Sequence, residues 1–135
     1  MKKKAYFDTL TLYFIIILTL GINFSVTCSF SSSTEVTVYF FDVGQGDSIF
    51  IDTDGEDMLI DGGPHRADLI ILDYLSQLNV SRIDIMVATH PDADHIGGLI
   101  DVLNSSITVN MVLYNNQTST TKTYQNFMKL AEDKI

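Results

Sequence analysis

The chain has 135 residues, with 8 lysines and arginines against 17 aspartates and glutamates, giving a formal charge of −9. That length holds one small domain, and the acidic balance disfavours unaided binding to nucleic acid or anionic lipid. One cysteine, Cys28, excludes an internal disulfide framework.

Lys2 to Lys4 form a positive start, and Leu10 to Phe24 follows as a mostly apolar run of 15 residues. Such a run is short for a membrane span and right for the apolar part of an export signal. An uncleaved signal anchor is the alternative. Cys28 comes next, ahead of Ser29-Phe30-Ser31-Ser32-Ser33, which has the composition of a flexible tether. The placement suits a lipoprotein cysteine, although Ser25-Val26-Thr27 matches the usual lipobox poorly. Residues 1–28 therefore read as a signal, 29–34 as a Ser-rich tether and 35–135 as the domain. The domain is expected outside the cytoplasm. It would be secreted, or held at the membrane only by a lipidated Cys28 or the uncleaved signal. Removing Lys2, Lys3, Lys4 and Asp8 leaves a charge of −11.

Val36 to Phe41 alternates β-branched and aromatic residues, a strand pattern. Asp47 to Asp52 and Asp57 to Asp61 read as short strands. Thr53-Asp54-Gly55-Glu56 between them is a hairpin turn. The acids Asp52, Asp54, Glu56 and Asp57 lack the spacing of a calcium loop and read as a solvated turn. Ala67 to Leu78 places Leu69, Ile70, Leu72, Leu75 and Leu78 at helical spacing, with Asn79 at its end. Ile83 to Ala88 is nearly all apolar and reads as a buried strand. A short helix over Gly97 to Leu103, a strand over Thr108 to Leu113 and a polar loop over Asn115 to Thr121 follow. A last helix over Thr123 to Lys134 carries Tyr124, Phe127, Leu130 and Ala131 on one face. The fold class is α/β (α+β).

The chemistry concentrates in Thr89-His90-Pro91-Asp92-Ala93-Asp94-His95-Ile96-Gly97-Gly98. Two imidazoles and two carboxylates fall within six residues, at the end of an apolar strand. Nitrogen and oxygen donors suit zinc, manganese or iron. The competing reading is that Asp92 or Asp94 only caps the following helix. His65, after Gly62-Gly63-Pro64, reads as a loop residue, although the strand carrying Asp61 should lie beside the one leading to His90.

Two upstream segments belong with this one: Phe40-Phe41-Asp42-Val43-Gly44-Gln45-Gly46-Asp47-Ser48-Ile49 and Met58-Leu59-Ile60-Asp61-Gly62-Gly63. In this order the three blocks resemble the metallo-β-lactamase superfamily, over roughly Val36 to Leu103. The nearest likeness is the branch containing the C-terminal domain of the ComEC competence proteins. The wider superfamily has a second histidine where this chain has Asp92, a replacement typical of that branch. The resemblance implies that His90 and Asp92 bind one divalent ion and that Asp94 and His95 bind a second. Zinc is the first choice, with manganese or iron as alternatives. It places Asp94 beside the water that reacts, as the catalytic carboxylate. Asp61 would orient the metal loop, and Phe41 to Asp47 would form a hairpin whose glycines pass close to the site. The implied activity is hydrolysis by metal-activated water, of a phosphodiester in nucleic acid or nucleotide, or of another small molecule.

The same resemblance implies an αββα sandwich, of which this chain carries the first half. No histidine follows His95, so the ligands expected from a second half are missing. A truncated gene product, a piece of a split protein or a subunit is therefore expected. A second polypeptide or a second copy would cover the open sheet face. The alternative function is a non-catalytic fragment that acts only with a partner chain.

Overall fold

A computed structural model describes residues 35–66 and 69–135. The expected export signal, Cys28 and the Ser-rich tether lie outside the described residues.

Five strands form one sheet in the order β1-β2-β3-β4-β5. They are β1 (Val36–Phe40), β2 (Ile49–Thr53), β3 (Met58–Ile60), β4 (Arg82–Ala88) and β5 (Thr108–Tyr114). The first three are antiparallel neighbours, whereas β3, β4 and β5 run parallel. Thr53-Asp54-Gly55-Glu56 is the turn from β2 to β3, closed by the Thr53 hydroxyl, which accepts from the Gly55 and Glu56 amides. Parallel pairs need crossovers. Helix α1 (Ile70–Gln77) joins β3 to β4, and α2 (Ala93–Leu103) joins β4 to β5. Asn79 ends α1 in the left-handed conformation at φ 59°, which Asn tolerates. Helix α3 (Lys122–Ala131) follows β5, capped by the Thr121 side chain on the Tyr124 amide.

The three helices among the described residues contribute to one core on one face of the sheet. Ile71 and Leu75 of α1, Ile96, Leu99 and Val102 of α2 and Phe127 of α3 meet Phe50, Leu59, Met86 and Val112. Each is almost fully buried, and removing a side chain of this size from water stabilises by roughly 1.5–3 kcal/mol. Strand periodicity breaks once on the parallel side. Asp84 and Ile85 both donate to the Asp57 carbonyl, a bulge-like contact. Ile83 and Met86 consequently face the same core three residues apart.

The other face is apolar from edge to edge. Cross-strand register aligns Val38, Ile51, Met58, Ile85 and Met111 in one row. Phe40, Ile49, Ile60, Val87 and Leu113 form a second. None of these belongs to the helix-side core. Exposure peaks at the row ends, with Phe40 77% and Leu113 47% exposed.

Helix α2 begins at Ala93, four residues before the Gly97 expected from sequence. The Asp92 carbonyl accepts from the His95 and Ile96 amides, both at 3.0 Å, which starts the helix ahead of the poor helix formers Gly97 and Gly98. Asp94 and His95 are thereby fixed on a first helical turn.

Candidate metal centre

Parallel pairing brings two strand ends together. Asp61 follows β3, and its amide extends the ladder to the Val87 carbonyl at 2.9 Å. Thr89 and His90 follow β4 at the same edge. The turn out of β3 is sharp because Asp61 sits at φ 54°, a region that Asp enters more readily than most residues. The loop is then stitched to α2, since Gly62 donates to the His95 carbonyl and Gly98 to the Gly63 carbonyl.

Asp61 is only 2% exposed, and a buried carboxylate needs donors. It has three. Oδ1 accepts the Thr89 amide at 2.9 Å. Oδ2 accepts the Thr89 hydroxyl and His95 Nδ1–H, the latter at 2.9 Å. With its proton given to Asp61, the Thr89 oxygen accepts from His90 Nδ1–H at 2.9 Å. The bonding pattern thus assigns the tautomers. Both imidazoles carry a proton on Nδ1, so in the neutral form of each ring Nε2 is left as the acceptor. One carboxylate orients both rings, directly for His95 and through Thr89 for His90. The ring centroids lie 3.8 Å apart.

Donor atoms of Asp61, His90 and His95 lie within 4.8 Å of one another, the one cluster of its kind among the described residues. Because both Asp61 oxygens are taken up by donors, its place in that cluster is to hold the histidines. The expected carboxylate ligands flank them. Asp92 occupies the cap position of α2 but makes no side-chain cap bond. Its Oδ2 instead lies 3.6 Å from His90 Nε2, which argues against simple capping. Asp94 accepts from Gln45 Nε2 at 2.9 Å. That bond, first, and its own backbone amide hold its carboxyl below the usual range. His65 does not join the cluster. Its Nδ1 pairs with Asp101 at 2.7 Å.

Of the residues expected at the site, the structure gathers His90, His95 and Asp61 into one cluster and leaves Asp92 and Asp94 beside it. Sequence reading missed Thr89 and Gln45. A threonine before a histidine carries no signal by itself, and Gln45 lies 49 residues from the carboxylate it meets.

Two imidazoles fixed through Nδ1 by a buried carboxylate, which turns Nε2 of each toward a ligand role, with two further carboxylates beside them, fit a divalent transition metal. The fold and site define an α+β protein with a carboxylate-anchored dihistidine cluster, a candidate metal centre, at the ends of its parallel strands. The family model of the metallo-beta-lactamase superfamily matches residues 41–130. The chain belongs to that metal-dependent superfamily. No curated protein matches it.

Proposed function

We propose that this chain is a metal-dependent hydrolase of the ComEC-like branch that cleaves phosphodiesters. The observation that carries the reading is the paired histidine orientation. His90 and His95 offer two Nε2 acceptors side by side, tied to one buried Asp61. His90 and Asp92 would hold one ion, and Asp94 and His95 a second, zinc before manganese or iron. A bound metal supplies Lewis acidity, which makes water nucleophilic near neutral pH and offsets charge on the ester. Asp94, half-buried beside both imidazoles, orients the attacking water. The net charge of −9 favours a short nucleotide or other small phosphodiester over a long nucleic acid. The N-terminal residues 1–28 support action outside the cytoplasm, secreted or anchored through Cys28 or the signal.

The test is metal content and turnover of bis(p-nitrophenyl) phosphate by the full chain, beside His90→Ala. Near two equivalents of metal with turnover, both reduced in the variant, would support the reading. Metal-replete protein with no turnover would remove the hydrolase assignment.

A second reading rests on a separate observation, the two unbroken apolar rows across the open sheet face. They support a chain that functions with a second polypeptide, or a second copy, packed on that face. Catalysis would then require the assembly.

A further inference from the structure

The loop between β1 and β2 brings Gln45 to Asp94 by construction. Its ends are drawn together by the Phe41 amide on the Ser48 carbonyl at 2.9 Å. A further bond from the Gly63 amide to the Asp47 carbonyl, 2.9 Å, fixes it to the turn after β3. Asp42 Oδ1 accepts the Gly44 amide at 3.2 Å within the loop. At the apex Gly46 sits at φ 80°, and a Cβ there would stand 1.8 Å from the Asp94 carbonyl oxygen. Only glycine allows that approach. The apex is therefore seated on the first turn of α2 in one register, and the adjacent side chain is delivered to the Asp94 carboxylate at 2.9 Å.

We propose that Gln45 is a positioning residue for the metal centre: its carboxamide N–H holds one oxygen of Asp94 and leaves the other for a divalent cation. The proposal rests on the reading of Asp94 as a metal ligand. Asp94 is only half-buried, so an unheld carboxylate there would sample more than one rotamer, and fixing it in advance lowers the ordering cost of binding. The residue type matters as well. A lysine or arginine at this position would also bond Asp94, but its positive charge would oppose a cation. A neutral amide donates without that cost. Outer groups that orient ligands typically contribute 10- to 100-fold in metal affinity.

A plain loop-to-helix tether is the competing role, and the two separate in a zinc titration of the full chain against a chromophoric chelator. Gln45→Met keeps the length and the Gly46 contact while removing the donor. Gln45→Lys restores a donor with a charge. Positioning predicts that in Gln45→Met one zinc equivalent weakens by about 10- to 100-fold, the other is unchanged, and the metal-free melting midpoint is unchanged. Gln45→Lys does not rescue that equivalent. Two unchanged equivalents in Gln45→Met, or full rescue by lysine, would overturn the proposal. A drop in melting midpoint with equal weakening of both ions would also overturn it, in favour of a tether. If the unsubstituted chain binds no zinc, the metal-site reading itself fails, and the proposal with it.

Discussion

The Gly62 carbonyl oxygen occupies the place a side chain would need at Gly98: a Cβ there would stand 1.9 Å from it. This crossing presses the turn after Asp61 against α2, so the orienting carboxylate and the histidine it orients are joined through backbone.

Gly98→Ala would force that contact apart. The obstacle is backbone, which cannot rotate away, so the expected loss is at the upper end of overpacking, about 3 kcal/mol or more. Urea unfolding measures it, and a midpoint near that of the unsubstituted chain would show that the turn and helix are not locked together. Zinc affinity should fall in the same variant, because Asp61 moves with the turn.

Thr89→Val removes the hydroxyl that links Asp61 to His90 and leaves the direct Asp61–His95 bond. His90 then loses its assigned tautomer while His95 keeps its own. Nitrogen-15 NMR of the metal-free rings should show this asymmetry, and zinc affinity should fall by about 10- to 100-fold. Thr89→Ser should restore both. Equal ring shifts in Thr89→Val and the unsubstituted chain would remove the relay.

How legible this was from sequence varied along the chain. Val36 to Phe40 alternates cleanly and was read nearly to its ends. Asn79 marked the end of α1 because few other residues accept its backbone angle. The start of α2 was set late, since Pro91, two aspartates and a glycine pair all resemble loop, and the Asp92 carbonyl that starts the helix is invisible to residue type. Ligand types and their clustering could be read because they are adjacent. Gln45 on Asp94 and His65 on Asp101 could not, because contacts across 49 and 36 residues depend on which strands become neighbours.

Asp101 gives a pH prediction away from the metal centre. Its side chain is 7% exposed, and burial holds its carboxyl above the ordinary value of 3.8, opposed by His65. An acid with a raised folded pKa binds its proton more tightly folded than unfolded. Its contribution to stability is full below the ordinary value and is lost as pH rises through the folded value. Asp101→Asn keeps an acceptor for His65 and cannot ionise. As pH rises from the ordinary value of 3.8, urea midpoints should fall less in the variant. Parallel curves would show that Asp101 is not the titrating group.

Phe40→Lys tests the open face. Phe40 ends one apolar row and is 77% exposed, so the substitution should change folding stability by no more than about 0.5 kcal/mol. If a second copy covers the sheet, sedimentation of the unsubstituted chain shows association that rises with concentration, and the variant shifts toward monomer. Identical profiles would count against a partner on these rows.

The dependence of both imidazoles on Asp61 makes the centre fragile at a residue outside its own ligands. Loss of either histidine removes one donor. Loss of Asp61 leaves every ligand in place yet frees both rings to turn and to exchange tautomers. A descendant of this chain could therefore keep the whole His90-to-His95 segment and be disarmed by one change about thirty positions upstream. Among such descendants, the aspartate before the paired glycines would report a working centre more faithfully than the histidines themselves.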